Sequence, residues 1–397
     1  MSDQDKPDHR SVVRRQGLPS SVSHPVVNPI CPSVVFASPD ADVLDAQYEG
    51  RAEGYTYARE GHPNWTALAA KLDWMEGARG GLITGSGMAA VGAMFQAMVS
   101  AGDHVVAGDQ LYGRSLRMLN AELPRWGVDV SFADPTDARA FAAAIRPETK
   151  LVLVEVVSNP TLRVADLPAI AAICRERGVL LAVDNTFTTP RLLRPFEAGA
   201  DIVLHSVTKM LAGHSDVTLG YLAARDPAHA RRMRDVMITF GATPSPFDCW
   251  LAERGLHTFD LRFDRAQQNA AALADHLAGL EGIDTVLYPT RPDHPDHNRA
   301  VALLPRGGGT MVSFCLRGGR DEVNRFLRAA EHLPFAPTLG DVATTLSHPA
   351  SSSHRVLGEA GRAAIGISEG FIRVSVGIEE IDLLRREFEA AVAAARA

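Results

Sequence analysis

Short apolar runs alternate with helix-like segments along the chain from about residue 64 onward. This alternation is typical of β-α-β units, which build a mostly parallel sheet. The apolar runs are rich in Val, Leu and Ala without polar alternation, which indicates strands that are buried on both faces. The elements predicted in this part of the chain are 65–76, 81–84, 88–99, 104–107, 150–157, 169–177, 179–183 and 201–205.

The pattern differs at the two ends of the chain. Residues 1–60 mix Pro, Ser and polar residues without a sustained period, which predicts an extended arm of the kind that reaches a neighbouring subunit. Beyond residue 256 the predicted elements are 262–280, 310–316, 321–330, 371–376 and 381–395. We therefore expect an arm at 1–60, a large α/β domain at 61–255 and a smaller C-terminal α/β domain at 256–397.

The composition excludes several classes of protein. The 397 residues are 46% hydrophobic, and 47 acidic against 40 basic side chains give a net charge of -7, so the excess of cations typical of nucleic-acid binding is missing. No apolar run approaches the roughly 20 residues that cross a bilayer, and no signal-like segment follows the polar start. The four dispersed cysteines predict buried thiols of a cytoplasmic protein and lack the close pairing of zinc ligands.

Ligands of an open parallel sheet bind beyond the carboxyl ends of its strands, so the residues after each apolar run are informative. Gly85, Ser86, Gly87 and Met88 follow the first run and precede a helix, where backbone N–H groups suit an anion. A tight turn without a ligand fits these four residues equally well. Asp184 ends the run VLLAV, where a carboxylate needs a cation, a hydrogen-bond donor or a helix-capping role.

Lys209 follows the run DIVLH, together with the hydroxyls of Ser206 and Thr208. Burial disfavours the ammonium form of a lysine, which makes this an unusual place for a structural residue. A lysine that loses its proton attacks an aldehyde, and the two hydroxyls suit a phosphate beside it. With Asp184 one strand away, these residues predict a pyridoxal-phosphate site, because the pyridinium nitrogen of that cofactor needs an acidic partner.

The segment S-V-T-K-M-L-A-G-H-S-D-V at 206–217 resembles the lysine motif of the Cys/Met-metabolism (transsulfuration) family of pyridoxal-phosphate enzymes. The similarity covers nearly the whole chain. It implies the PLP-dependent transferase fold type I, with a large domain on a mostly parallel sheet and a smaller C-terminal α/β domain. Further matching segments are Y-A-R at 57–59, S-G-M-A-A at 86–90, L-Y-G at 111–113, S-N-P-T at 158–161, V-D-N-T at 183–186, H-P-A-S at 348–351 and I-R-V-S-V-G-I-E at 372–379.

The resemblance implies a role for each matching residue. Lys209 would bind the cofactor covalently and, once released by the substrate, move protons at Cα and Cβ. Asp184 would keep the pyridine nitrogen protonated, and Tyr112 would stack on the ring and act as acid or base near the leaving group. The other cofactor contacts would be Tyr57, Arg59, Ser86, Gly87, Met88, Asn159, Thr186, Ser206 and Thr208, and the substrate contacts would be Arg373 at the α-carboxylate together with Thr338, Tyr57 and Arg114.

The sequence departs from the family at positions that bear on the substrate. Arg114 follows Tyr112-Gly113, where relatives usually carry Cys or Gly, and Ala343 stands where a Glu is common. Arg114 would favour an anionic or carbonyl-bearing leaving group if it faces the pocket, and an exposed Arg114 fits the sequence equally well. Without a carboxylate at position 343, the distal ammonium of cystathionine loses a charge-assisted contact. The roles of Arg114, His62 and Ala343 stay open at this point.

The resemblance implies a carbon–sulfur lyase or synthase of the methionine γ-lyase or cystathionine γ-synthase/lyase type. Such an enzyme acts at Cγ of a methionine- or homoserine-like L-amino acid, by γ-elimination to a 2-oxo acid and ammonia or by γ-replacement. The alternatives are β-elimination of the cystathionine β-lyase type and amino-group transfer on the same fold.

The resemblance also bears on partners and metals. Because Tyr57 and Arg59 would be supplied by the neighbouring subunit, the expected minimal active unit is a homodimer, paired into a homotetramer. We expect a small-molecule amino-acid substrate, no nucleic-acid partner and no membrane partner. We also expect no metal, since the pair His294 and His297 lacks further close ligands.

Overall fold

The computed structural model describes residues 21–397, so residues 1–20 of the expected arm lie outside the described chain. The described residues form eleven β-strands and fourteen α-helices. The strands are β1 (Leu82–Thr84), β2 (His104–Gly108), β3 (Asp129–Ala133), β4 (Thr149–Glu155), β5 (Leu180–Asp184), β6 (Ile202–Ser206), β7 (Gly220–Ala224), β8 (Ile283–Leu287), β9 (Met311–Leu316), β10 (Thr345–Ser347) and β11 (Phe371–Ser375). The helices are α1 (Ala41–Tyr48), α2 (Pro63–Glu76), α3 (Gly87–Met98), α4 (Gly113–Arg117), α5 (Ala138–Ala144), α6 (Leu167–Arg177), α7 (Thr189–Leu192), α8 (Pro227–Phe240), α9 (Pro246–Leu256), α10 (Phe259–Ala278), α11 (His297–Leu303), α12 (Arg320–Ala329), α13 (Gly358–Ala364) and α14 (Ile381–Arg396).

Seven strands form one sheet in the order β1-β7-β6-β5-β4-β2-β3. The neighbours β6, β5, β4, β2 and β3 are parallel, and β7 runs antiparallel to both β1 and β6. The apolar positions of β2, β4 and β6 are buried, as expected for strands covered on both faces. The predicted mostly parallel sheet is thus confirmed.

Local signals explain where the helices beside this sheet begin and end. Pro63 occupies the first position of α2, and the preceding His62 ring accepts a hydrogen bond from the N–H of Asn64 at 3.2 Å. The Ser86 hydroxyl caps α3 by accepting from the N–H of Ala89 at 3.0 Å. Glycines in the left-handed conformation end α2, α6 and α8. The turns after α2 and α6 lead the chain into the next strands, β1 and β5.

A second sheet is antiparallel, with four strands in the order β10-β11-β9-β8. Its core includes Phe314, Phe326 and Phe388, whose ring centroids are 5.6 to 6.2 Å apart. Such offset and edge contacts are the arrangement that aromatic rings prefer. The predicted smaller C-terminal α/β unit is therefore present.

We propose the domain division expected from the sequence, with the arm at 1–60, the large domain at 61–255 and the small domain at 256–397. A separate apolar core next to the four-stranded sheet supports this division. The two units meet at Arg262, which donates hydrogen bonds to the main-chain carbonyls of Met210 at 3.0 Å and Leu211 at 3.1 Å. The small domain is thereby tied to the segment that follows β6.

The expectation of a wholly extended arm is wrong for its last part, where α1 forms. Asp40 caps this helix by accepting from the N–H of Val43 at 2.9 Å, and the eight residues of α1 bury none of their side chains. A helix this short lacks the apolar repeat by which a sequence pattern is recognised, and its capping residue starts it.

The expectation of four buried thiols is half right. Cys174 and Cys249 are buried, whereas Cys31 and Cys315 are half-buried, and all four are free. In a separate observation, none of the helices among residues 21–397 combines the length and the apolar content needed to cross a bilayer.

Candidate active site

Three parallel strands, β4, β5 and β6, end in polar residues at one edge of the large sheet. Glu155 and Asp184 end β4 and β5 and are paired in register, and Ser206 ends β6. The start of α3 reaches the same edge, because a β-carbon on Gly87 would come within 2.9 Å of the Ser206 Cβ. The structure therefore brings together strand ends that lie far apart in the sequence.

Asp184 is oriented by the residue two positions after it. The Thr186 main-chain N–H and hydroxyl donate to Oδ1 of Asp184 at 3.0 and 2.6 Å, and the Thr186 hydroxyl oxygen accepts from the N–H of Ser206 at 2.9 Å. Burial raises the pKa of the Asp184 carboxyl, while Thr186 and the nearby His205 oppose this rise. Both donors bond Oδ1, so Oδ2 is left to accept from a ligand nitrogen.

A buried polar group lies directly behind these strand ends. Glu76 accepts hydrogen bonds from the ring of His205 and, at 2.9 Å, from the side-chain amide of Asn185. All three side chains are buried. His205 precedes Ser206 and Asn185 follows Asp184 in the chain, so Glu76, at the end of α2, links the two strand ends.

Lys209 lies in the turn after β6, and its main-chain N–H donates to the Ser206 carbonyl at 3.1 Å. Burial and the positive charge of Arg373 lower the pKa of its ammonium group. A lowered pKa increases the fraction of neutral amine, which is the form that attacks an aldehyde or accepts a proton. Gly340 packs on this turn, where its φ of 83° and the lack of a side chain allow close approach.

The residues expected at the phosphate are only partly free to bind one. Gly87 begins the twelve-residue helix α3, so free N–H groups at its positive end face the Ser206 side. The Ser86 hydroxyl is used as the α3 cap, and the Met88 sulfur lies 3.9 Å from the Ser115 hydroxyl. The Thr208 hydroxyl accepts from the N–H of Leu219 at 3.0 Å and donates to its carbonyl at 3.2 Å.

Arg373 comes from β11 of the small sheet and is only 5% exposed. Its terminal nitrogens donate to the Asn159 side-chain oxygen at 2.8 Å and to the Thr338 carbonyl at 2.6 Å. Burial lowers the pKa of the guanidinium to about 10, and the nearby Tyr112 opposes this change. Its Nε has no partner among the described residues, so a buried donor is available for an anion.

Tyr112 and Arg114 lie at the start of α4. The Tyr112 N–H donates to Oε1 of Glu155 at 2.6 Å, and Tyr112 as a residue is 41% exposed. Arg114 is exposed, and its side chain makes no hydrogen bond or ion pair with another residue of 21–397. Of the two alternatives left open for Arg114, the single chain therefore shows the one in which its side chain is exposed.

Tyr57 and Arg59 are exposed and lie next to each other in the arm. The Arg59 guanidinium stands 5.4 Å from the centre of the Tyr57 ring and donates to the Ile238 carbonyl in α8 at 3.2 Å. Within residues 21–397, no hydrogen bond or ion pair joins either side chain to Lys209. Within one chain, the side-chain contacts of Tyr57 and Arg59 are with each other and, for Arg59, with Glu60 and the Ile238 carbonyl in α8.

His62 and the His294 loop have structural contacts. The His62 ring caps α2, and its edge-on neighbours are Phe36 and Trp65. Nδ1 of His294 accepts from the N–H of Asp296 at 3.1 Å, and Asp296 binds Arg163 at 2.6 Å. No group of three or more potential metal ligands occurs among the described residues.

Three residues at this edge were absent from the sequence-based set. Glu155 lies beside Asp184, and its signal was a lone carboxylate in the apolar run KLVLVEVV, the same signal that identified Asp184. His354 is buried, and the charge of Arg373 helps to lower its pKa to about 4. Gly340 and His354 had no local signal, because their neighbours come from distant parts of the chain.

Together these side chains fit pyridoxal phosphate. The set comprises an amine with a lowered pKa, a carboxylate oxygen for the ring nitrogen, a helix N-terminus for the phosphate and a buried guanidinium for an amino-acid carboxylate. The cradle for the phosphate is narrow, since any residue larger than glycine at position 87 would collide with Ser206.

Comparison with known proteins agrees with this reading. The profile of the family described as "Cys/Met metabolism PLP-dependent enzyme" matches residues 11–393. The chain is 38% identical to the cystathionine beta-lyase of Bacillus subtilis (strain 168), over 85% of this chain and 86% of that protein. It is 35% identical to the L-methionine gamma-lyase of Pseudomonas putida, over 93% of each protein.

Solved structures give the same result. The cystathionine gamma synthase from Xanthomonas oryzae pv. oryzae, in complex with cystathionine, matches with a TM-score of 0.88 and 37% identity over 94% of each chain. This likeness confirms the expected fold type I. Because the family profile spans most of the chain and several relatives exceed 30% identity, the chain belongs to the Cys/Met metabolism family of PLP-dependent enzymes, whose cofactor is pyridoxal phosphate.

Proposed function

We propose that the residues at the sheet edge hold pyridoxal phosphate in the roles expected from the family. Bound there, the cofactor supplies an electron sink for negative charge that develops beside the amino group of the substrate. Asp184 holds the ring nitrogen, with Thr186 orienting it, and Tyr112 lies against the ring. The remaining cofactor contacts are Ser86, Gly87, Met88, Asn159, Ser206 and Thr208, with Tyr57 and Arg59 from a second subunit.

Lys209 binds the cofactor and then moves protons on the substrate. The observation that carries this role is the lowered pKa of Lys209, which favours its neutral amine, next to Arg373, the proposed carboxylate partner. A carboxylate bound to Arg373 sets the distance of Cα from Nζ of Lys209. Removal of a group from Cγ needs a proton to leave Cα and a second to leave Cβ, so one flexible base serves both carbons.

We propose that the reaction occurs at Cγ of a methionine- or homoserine-like L-amino acid, by elimination or by replacement. The L-methionine gamma-lyase and cystathionine gamma synthase matches support chemistry at Cγ. The β-elimination alternative is supported by the comparable likeness to the cystathionine beta-lyase. Amino-group transfer on the same fold is a weaker alternative, favoured by no contact in this site.

The substrate end of the site favours a group without a distal cation. Ala343 supplies no carboxylate. The neighbouring Asp341 carboxylate accepts a hydrogen bond from the main-chain N–H of Ala343 at 2.8 Å. Arg114 is exposed on the single chain, where it is free to face an anionic or carbonyl-bearing substituent. We therefore propose methionine or an acylated homoserine ahead of cystathionine.

Products distinguish these reactions. The purified holoenzyme is supplied with methionine, homocysteine, cystathionine and acylated homoserines, with and without a thiol acceptor, and 2-oxobutanoate, pyruvate and new thioethers are measured. We expect 2-oxobutanoate or a thioether from a Cγ-substituted substrate, and none from Lys209→Ala run in parallel. Pyruvate as the sole 2-oxo acid would replace the proposal with β-elimination, and a requirement for a 2-oxo acid acceptor would indicate amino-group transfer.

We propose a homodimer as the minimal active unit, paired into a homotetramer. Within residues 21–397, the exposed side chains of Tyr57 and Arg59 contact each other and α8 and make no hydrogen bond or ion pair with Lys209, which supports a site completed by a second copy. We also propose a cytoplasmic location, supported by four free cysteines, a usage typical of reducing compartments.

A further inference from the structure

Glu155 ends a strand whose four preceding residues, 151–154, are buried. Its Cα is paired in register with that of Asp184 on the parallel neighbour β5. Side chains at paired positions of neighbouring strands point to the same face, with Cβ atoms about 5 Å apart. Two carboxyl groups therefore lie side by side at the carboxyl edge of the sheet, and only one has a proposed contact with the cofactor.

The hydrogen bonds of Glu155 differ from those of Asp184. Oε1 of Glu155 accepts from the main-chain N–H of Tyr112 at 2.6 Å. Burial and the charge of Asp184 raise the pKa of the Glu155 carboxyl, whereas the main chains of Tyr112 and Asn159 act to lower it. Glu155 thus faces the loops that carry two proposed cofactor contacts, while Asp184 faces Thr186.

Tyr112 depends on its main chain for a fixed position. The residue is 41% exposed, and its hydroxyl makes no hydrogen bond within the part of the chain that the structure describes. No side chain caps the start of α4. The next residue, Gly113, lies so close to the Ser353 carbonyl oxygen that a β-carbon would be 2.7 Å from it. The segment is therefore held between Glu155 on one side and Ser353 on the other.

We propose that Glu155 is a positioning residue of the cofactor site, which holds the main chain of Tyr112 so that its ring lies against the cofactor. The proposal rests on the stacking role of Tyr112 given above and on no particular substrate. Loss of the acceptor leaves the Tyr112 N–H unpaired and frees the start of α4 to shift. A carboxamide keeps an oxygen at the same place, so Glu155→Gln retains the anchor and Glu155→Leu removes it.

The two variants, purified with pyridoxal phosphate, are compared by the visible circular dichroism of the bound cofactor and by its dissociation constant. We expect Glu155→Gln to keep the dichroism of the wild type and to bind the cofactor within about threefold of it. We expect Glu155→Leu to lose most of the dichroism and to bind about tenfold more weakly. Equal behaviour of the two variants, whether normal or impaired, would overturn the proposal, because the acceptor oxygen would then make no difference.

A double-mutant cycle with Tyr112→Ala tests whether Glu155 acts through Tyr112. We expect Glu155→Leu to weaken cofactor binding far less when the ring of Tyr112 is already missing. Additive losses would contradict the proposal. Thermal unfolding of the wild type, the two single variants and the double variant identifies any protein that fails to fold. If Glu155→Leu fails to fold, the cofactor binding of Glu155→Gln compared with the wild type still tests the proposal. Since each readout is cofactor binding, a failed product assay would leave this result intact.

Discussion

The guanidinium of Arg373 donates a hydrogen bond to the side-chain oxygen of Asn159 at 2.8 Å. Asn159 follows β4 of the seven-stranded sheet, whereas Arg373 lies in β11 of the four-stranded sheet. A second hydrogen bond, to the Thr338 carbonyl at 2.6 Å, fixes the orientation of the guanidinium. The group proposed to bind the substrate carboxylate is therefore oriented by Asn159, which follows β4, and by Thr338, which precedes β10.

This relationship predicts that Arg373→Lys weakens substrate binding more than it alters the fold. Lysine keeps a positive charge but loses the planar fork that reaches two partners and a carboxylate together. We expect KM for the amino-acid substrate to rise by about tenfold to a hundredfold. The amide of the same amino acid, which lacks the carboxylate, is the control. An equal rise in KM for the acid and the amide would contradict the role.

The close packing of Gly340 predicts that a side chain at this position destabilises the fold, and a second glycine serves as the reference for that loss. A β-carbon at Gly340 would lie 2.5 Å from the Met210 nitrogen and 2.8 Å from the Lys209 carbonyl carbon, at a φ of 83°. We expect Gly340→Ala to lower the free energy of unfolding by about 1–3 kcal/mol beyond the backbone cost and to weaken cofactor binding. Gly366→Ala, at a φ of 78° with open space around it, measures the backbone cost alone. Equal losses in the two variants would exclude the contact with Lys209 as the cause.

The lowered pKa of His354 predicts that this residue contributes to the loss of folding stability at acidic pH. Burial, aided by Arg373, lowers its pKa from 6.5 to about 4. The unfolded chain therefore takes up a proton as pH falls below 6.5, while the folded protein does not until about pH 4. Stability is lost across this window, by up to ~3 kcal/mol.

The variant His354→Gln should flatten the fall in the free energy of unfolding between pH 6.5 and 4, measured by denaturant titration. Other buried histidines, such as His62 and His294, keep part of the slope. His332→Gln, at an exposed position, is the control and should leave the slope unchanged. A slope in His354→Gln equal to that of the wild type would rule out this contribution.

The proposed dimer predicts complementation between inactive variants. Lys209→Ala removes the base of its own site, whereas Arg59→Ala would damage the site of the partner. Co-expressed with different tags and purified as mixed dimers, the two chains should regain about half of the wild-type activity, since one of two sites is intact. Each variant alone supplies the background. Mixed dimers as inactive as the parents would place Arg59 in the site of its own chain.

Much of the fold follows from short-range pattern. The run predicted as a strand at 150–157 is β4 (Thr149–Glu155), and the helix predicted at 262–280 is α10 (Phe259–Ala278). Gly220–Ala224, which forms β7, was not predicted, because five small and apolar residues have no distinctive period. Its antiparallel pairing with two strands comes from contacts distant in sequence.

The candidate site, like the fold, is predicted from the sequence only in part. Lys209 and Asp184 were recognised because charged groups at the ends of apolar strands are costly unless they have a function. Glu155 carries that same signal, yet its bond to the Tyr112 N–H becomes visible only in the folded structure. The placement of Tyr57 and Arg59 at a partner's site remains a prediction.

The sequence by itself determined the strand ends, the lysine, its acidic neighbour and the family, because these depend on residue type and short spacing. Only the tertiary structure decided that Asn159 aims Arg373, that Glu155 holds Tyr112 and that Gly340 packs on Lys209. These pairs are separated by 43 to 214 positions in the chain. A hydrogen bond or a steric limit acts over a few ångströms, so such pairs exist only after distant parts of the chain have folded together.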